Sequence, residues 1–270
     1  MISLYPAKEL RLPITAECIS PDIFEGKTPA EIEKLKLWEG NKQKTLGGLF
    51  KAEETHAEDP ALVIHGDVSR VRRIGARMTK GGIVIEGNAG MHLGEEMKGG
   101  KINVHGSVAG WAGSMMKGGE IEIHGDAGDY LGSPYRGCSI GMRGGRITVY
   151  GNVGSEIGNN MKKGTIKVYG SAGQFVGFRM HDGTIYVQKT CQGRAGACMV
   201  GGKIVVGGLL ESVMPTFSID GVRAKVKVEE DEVVEGPLYV FVGDLAENGN
   251  GKLYVMKEKN PHLRHYEKYL

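Results

Sequence analysis

Proline is scarce in this chain of 270 residues, with nine copies, and aromatic residues make up only 7%. So little proline, without a strict three-residue glycine period, excludes a collagen-like triple helix. There is no run of 18 apolar residues, so no membrane-spanning helix is expected. Neither charge sign dominates: 34 basic residues face 32 acidic ones, which gives no electrostatic footprint for nucleic acid. The four cysteines, Cys18, Cys138, Cys191 and Cys198, include no CxxC pair. That excludes the usual zinc-ribbon, ferredoxin and thioredoxin-type spacings. They read as free thiols packed like small apolar residues. The opening MISLYPAKELRLP has no apolar signal core, so a cytoplasmic protein is expected.

Glycine is abundant, at 44 residues, roughly twice the ordinary 7% usage. With 40% hydrophobic residues and a net charge of +2, the chain is neither a disordered segment nor a flexible linker. Thirty-five glycines fall between Gly66 and Gly208, where Pro134 is the lone proline. Met78, Met97, Met116, Met142, Met161, Met180 and Met199 recur at 19 residues, with one interval of 26. Apolar columns keep the same step: Ile83, Ile102, Ile121, Ile147, Ile166, Ile185 and Ile204 form one, and Ile85 through Val206 a second. The best-kept block is Gly-x-x-Met-x-x-Gly-x-Ile-x-Val-x-Gly. Its seven copies are 75–87, 94–106, 113–125, 139–151, 158–170, 177–189 and 196–208, with Ser139 and Lys189 as departures. Leu62–Gly66 is a partial unit ahead of them.

Ile-x-Val-x reads as a short strand, and the following Gly-Asn, Gly-Asp or Gly-Ser as a turn. Nineteen residues cannot bury an apolar face alone, so units must stack on one another. The expected fold is all-β: a parallel β-helix of ~19-residue coils spaced by the strand separation of ~4.8 Å, with short helical or irregular terminal caps. Residues 1–60 are expected as an N-terminal extension and cap, with a short helix near 29–39 drawn from Thr28-Pro29, Ile32, Leu35 and Trp38. Residues 61–208 hold the repeat, and 209–270 a C-terminal cap and tail. Ala224–Val228, Leu238–Val242 and Lys252–Met256 read as strands, and Glu229–Glu232 as a solvated loop.

No catalytic, cofactor-binding or metal residue is assigned. Gly26-Lys27-Thr28 resembles the end of a phosphate loop, but Pro21 stands where its first glycine belongs. Asn103, His105, Glu122 and His124 lie on the two outward columns. They offer an acid–base or metal patch, a ladder of stacked surface groups, or a partner-binding face. Seven extra residues, SPYRGCS, enter one repeat. Tyr135 and Arg136 within them are candidate partner contacts, since Tyr and Arg are enriched at interfaces. A neutral surface loop is the plainer reading, and a redox role for Cys138 a third.

The seven blocks, the segment Leu35–Phe50 and the end Asn260–Leu270 resemble the C subunit of formylmethanofuran dehydrogenase over nearly the whole chain. The repeat is also similar to the C-terminal domain of the glutamate synthase large subunit. The resemblance implies a right-handed β-helix and a non-catalytic structural role. The implied setting is a cytoplasmic complex that reduces CO2 and formylates methanofuran in methanogenesis. It implies partners in the A, B and D subunits and in ferredoxin-like subunits. Tungsto- or molybdopterin, iron–sulfur clusters and a metal site would reside in those other subunits and none in this chain. Two alternatives stand beside it: the C subunit of the formyltransferase/hydrolase complex of methylotrophic bacteria, and a stand-alone β-helix hydrolase or lyase using Glu122 and His124.

Overall fold

The computed structural model describes residues 2–55, 61–230 and 232–270. Near the start, β1 (Ile2–Pro6) and β2 (Ile14–Thr15) lead into two short helices, α1 (Pro21–Phe24) and α2 (Pro29–Glu33). Then come β3 (Lys36–Glu39), β4 (Lys42–Thr45), β5 (Phe50–Glu54), β6 (Ala61–Ile64) and β7 (Val71–Arg72). The repeats contribute β8 (Gly82–Ile85), β9 (Lys101–Val104), β10 (Glu120–Ile123), β11 (Arg143–Val149), β12 (Lys163–Val168), β13 (Thr184–Val187) and β14 (Lys203–Val206). Three longer strands close the chain: β15 (Ser218–Lys227), β16 (Val233–Gly243) and β17 (Gly251–Met256). A run of 3₁₀ turns, Pro261–Tyr269, follows.

The fold is all-β in character. A 13-stranded sheet runs β15-β16-β17-β14-β13-β12-β11-β10-β9-β8-β6-β1-β5. From β1 to β17 its pairings are parallel. The register places Ile83, Ile102, Ile121, Ile147, Ile166, Ile185 and Ile204 side by side. Leu62 extends this column at one end and Leu253 at the other. All nine side chains are buried, each worth roughly 1.5–3 kcal/mol in removed apolar surface. The seven repeat methionines are fully buried beside them. A second line of parallel bridges joins Val68, Ala89, Val108, Ala127, Val153, Ala172, Cys191 and Leu210.

The residue after each turn glycine has a specific job. Ser107 N–H donates to Asn88 Oδ1 (2.9 Å), Asp126 N–H to Ser107 Oγ (3.0 Å), and Asn152 N–H to Asp126 Oδ1 (2.7 Å). Ser171 N–H donates in turn to Asn152 Oδ1 (3.0 Å). A short acceptor is therefore favoured at this position.

Four sequence expectations change. Helix α2 ends at Glu33; Lys36–Glu39 is a strand, with Leu37 buried and Trp38 48% exposed. The apolar spacing of Ile32, Leu35 and Trp38 mimicked a helix face, but β3 pairs with β4 around Gly40. Second, Ser139 is not the repeat equivalent of the first block glycine. Gly132 is: its φ is +67, and its Cα faces Ile166 and Ile147 as the other column glycines face their isoleucines. The insertion follows it. Third, Glu229 and Glu232 are not solvated. Lys167 lies 2.9 and 3.0 Å from them, and Arg146 3.0 Å from Glu229; Asp231 lies outside the described residues. Fourth, part of the outward column is covered. Tyr186 and Val205 pack with Val226, Val228 and Leu238 of the β15–β16 hairpin and its flank. The expected boundary between residues 60 and 61 abuts residues 56–60, which lie outside the described residues.

Candidate functional site

The inserted segment is anchored at its base. Ser133 Oγ donates to the carbonyl of Glu156 (2.6 Å) and accepts from Asn159 N–H (3.1 Å). Ser114 Oγ donates to the Ser133 carbonyl (2.8 Å). From that base the loop doubles back. The Tyr135 ring meets His92 edge-on at 4.9 Å and Trp111 at 6.0 Å.

His92, Trp111 and Tyr130 occupy one column at the 19-residue step. Trp111 stacks on Tyr130 at 4.5 Å and 13°, and on His92 at 5.5 Å and 10°. All three have left-handed backbones, with φ of 61, 61 and 65. So do their equivalents Arg73, Glu156, Phe175 and Arg194. This corner is left-handed in each of these units and yet carries no glycine. Trp111 and Tyr130 of this corner, with Tyr135, Arg136 and Arg179, border a groove of about 240 Å³. Sequence reasoning singled out Tyr135 and Arg136, and the structure brings both to this groove. It missed Trp111 and Tyr130. Their signal was present: two aromatics 19 residues apart in a chain poor in aromatics.

His92 lies under this shelf and is 6% exposed. Burial, then the nearby charges of Arg73 and Arg72, push its pKa down to about 4. Its Nδ1 has no hydrogen-bond partner. Glu95 beside it is pushed up by burial, opposed by Arg73, whose Nε lies 3.0 Å away. In the unfolded chain His92 titrates near 6.5. Between pH 6.5 and 4 the unfolded state binds more protons, so this contribution to stability is full above pH 6.5 and falls as pH drops. The expected loss is about 2 kcal/mol at pH 5. Glu95 acts in the opposite sense, so the measurement is a difference. Urea midpoints of wild type and His92→Phe at pH 7.5 and 5.0 should show the smaller acid shift in the variant; equal shifts would disprove the assignment.

The second sequence candidate is also assembled, as a ladder. Tyr5 stacks on His65 (4.2 Å), and His65 Nδ1 meets Glu86 Oε2 at 2.7 Å. Further along, His105 meets His124 edge-on (5.8 Å), His124 stacks on Tyr150 (5.0 Å), and Tyr150 on Tyr169 (5.4 Å). Asn103 pairs in register with Glu122. Tyr150 Oη donates to Glu122 Oε1 (2.9 Å), Lys101 Nζ lies 3.3 Å from Oε2, and His124 Nε2 4.0 Å from Oε1. Burial raises the Glu122 pKa, but Tyr150 and Lys101 outweigh it and hold the carboxyl below its usual range. A general acid needs the opposite shift. No group of three His, Cys, Asp or Glu side chains among the described residues is arranged to hold a metal ion. Of the cysteines, Cys191 is buried, its thiol pushed up to about 12 by burial, whereas Cys138 is exposed and not packed as expected.

No protein-family model matches the chain. Solved structures and curated proteins do. A chain in the X-ray crystal structure of the formyltransferase/hydrolase complex (FhcABCD) from Methylorubrum extorquens in complex with methylofuran superposes with a TM-score of 0.83. It is 30% identical, and the match covers 94% of this chain and 99% of that one. The C subunit of molybdenum-containing formylmethanofuran dehydrogenase 1 from Methanothermobacter marburgensis is 44% identical over 91 residues, 34% of this chain and 23% of the relative. The chain belongs to the family of formylmethanofuran dehydrogenase C subunits. The C subunit of tungsten-containing formylmethanofuran dehydrogenase 2 from Methanothermobacter wolfeii is 41% identical over 96 residues, 34% of this chain and 36% of the relative. The matched segment thus spans between about a quarter and a third of these two relatives. The likeness to the M. extorquens chain covers far more of this family member than either dehydrogenase alignment does. Among the described residues, no helix is long and apolar enough to cross a membrane.

Proposed function

We propose that this chain is a non-catalytic structural subunit of a cytoplasmic formylmethanofuran dehydrogenase complex. In that complex it supports ferredoxin-dependent CO2 reduction and formylation of methanofuran. The observation that carries the reading is the near-complete match, at 30% identity, to a chain of the FhcABCD assembly. The higher identity to archaeal dehydrogenase subunits over part of the chain supports the dehydrogenase assignment. On this reading residues 61–208 form a right-handed parallel β-helix, capped by residues 1–60 and 209–270. Tyr135 and Arg136 contact a neighbouring subunit. The A, B and D subunits and ferredoxin-like subunits are the partners, and they hold the tungsto- or molybdopterin, the iron–sulfur clusters and the metal site.

The whole-chain match favours a second reading, the C subunit of a formyltransferase/hydrolase complex. Native affinity purification with partner mass spectrometry and metal analysis separates the two. The dehydrogenase reading expects co-purifying molybdenum or tungsten with iron, and no metal or activity in the isolated chain. Partners without molybdenum or tungsten would favour the second reading. A monomer active alone, and inactivated by Glu122→Gln, would overturn both.

A further inference from the structure

Cations on and beside the corner column divide into two groups. Towards the N-terminus they are neutralised within the chain: Arg73 contacts Glu17 and Glu95, Arg77 lies 3.6 Å from both Glu17 and Glu96, and Lys117 3.2 Å from Glu96. Within the insertion and beyond it they are not. Arg136, Arg179 and Arg194 are exposed, and none has a carboxylate within 4 Å among the described residues. Arg179 lies over the Phe178 ring and Arg194 over Phe175, each at 5.0 Å. Those contacts hold each guanidinium against an aromatic ring while leaving its charge unneutralised.

The neighbouring carboxylates accept from neutral N–H donors instead. Asp129 Oδ1 accepts from Ser155 N–H (2.7 Å), Glu156 Oε2 from Asn159 Nδ2 (3.1 Å), and Asp244 Oδ2 from Cys198 N–H (2.9 Å). Next to Arg136 and Arg179 sits the aromatic shelf of Trp111, Tyr130 and the 41% exposed Tyr135. A left-handed backbone costs a non-glycine residue roughly 1–2 kcal/mol. Stacked aromatics are nevertheless kept at φ of 61 and 65 on the groove side. Trp, Tyr and Arg are the side chains that dominate interface energetics, and planar guanidinium groups suit bidentate carboxylates.

We propose that this corner docks an acidic, extended segment of a partner subunit. Its carboxylates engage Arg136, Arg179 and Arg194, and an apolar or aromatic side chain packs on the Trp111–Tyr130 step. Acidic residues two apart in an extended strand point the same way, about 7 Å apart, and so present two carboxylates on one side of the segment. The proposal rests on the reading of this chain as one member of a multi-subunit complex.

The test places the photo-crosslinker p-benzoylphenylalanine at Tyr135 in the tagged full-length chain, expressed in its native host. A second chain carries it at Tyr150, on the other ladder, as a reference. The expected result is a Tyr135 crosslink to a partner peptide of net negative charge. Its yield should fall at least tenfold in the Arg179→Glu/Arg194→Glu variant, whose melting temperature stays that of the parent. A Tyr135 crosslink to a neutral or basic peptide, or to a second copy of this chain, overturns the proposal. So does an unchanged yield in the charge-reversed variant, or no Tyr135 crosslink while partners co-purify; in these cases the reading of the chain as a subunit survives. A chain that purifies alone, with no crosslink at either position, overturns both.

Discussion

Gly170→Ala should cost about 3–5 kcal/mol, at the damaging end for a single methyl group. A Cβ at Gly170 would lie 2.2 Å from the carbonyl oxygen of Gly151 and 2.5 Å from its carbon. Both are backbone atoms fixed in the stacked ladder, where Gly151 N–H donates to the Gly125 carbonyl (3.1 Å) and Lys189 N–H to the Gly170 carbonyl (3.1 Å). Relief requires two units to separate, which breaks contacts on both sides. Gly137 supplies the contrast. Its φ is +84, but a Cβ there meets nothing within 4 Å, so Gly137→Ala should cost only about 1–2 kcal/mol, the left-handed penalty alone. Denaturant titration of the two variants is the measurement. Equal losses would mean that stacking space is not what selects glycine in that column.

Removing the Lys167 ammonium should be the second large loss. Its side chain is 9% exposed and lies 2.9 Å from Glu229 and 3.0 Å from Glu232. Burial pulls its pKa down, but pairing with the two carboxylates outweighs that and holds it above the ordinary lysine value. Lys167→Ala leaves two partly buried carboxylates, of which Glu229 retains Arg146 at 3.0 Å. The expected cost is about 3 kcal/mol, since stranding a buried charge is worse than never having the pair. It follows that the triple variant Lys167→Met/Glu229→Gln/Glu232→Gln should recover most of that loss. Urea midpoints of the set give the coupling directly. A triple variant no more stable than Lys167→Ala would show that the cost comes from lost packing instead of unpaired charge.

Much of the sheet was legible because its repeat is written in residues with one job each. Ile121 and Ile147 are 26 residues apart, yet they pair as the other columns do, so subtracting the seven inserted residues restores the true register. What the sequence hid was contact between segments without a common period. Tyr186 and Val205 sit at outward positions of the repeat, and only the distant β15–β16 hairpin buries them. The acidic run at Glu229–Glu232 looked like a solvated loop because its cation, Lys167, comes from a unit more than sixty residues earlier. At the candidate site, Tyr135 and Arg136 were readable as an interruption of the period. The shelf they join left only a faint mark, two aromatics one repeat apart, because Trp111 and Tyr130 stand at a position where Arg, His, Glu and Phe also occur. A column that varies this much in side chain carries little pattern to read.

The join between β14 and β17 bears on how the chain reaches this state. Within the repeat, each new rung asks the chain to close a loop of about one unit, so the entropic cost per step is small and nearly constant. Growth can then begin at any rung and spread both ways. The Lys203↔Lys252 pairing is different. It must bring together residues roughly fifty positions apart, with the β15–β16 hairpin lying between them in the chain. That closure is the step of highest sequence separation at this end, and such contacts are made late in folding. Until it happens, β14 presents a bare parallel edge, a template on which another chain can pair.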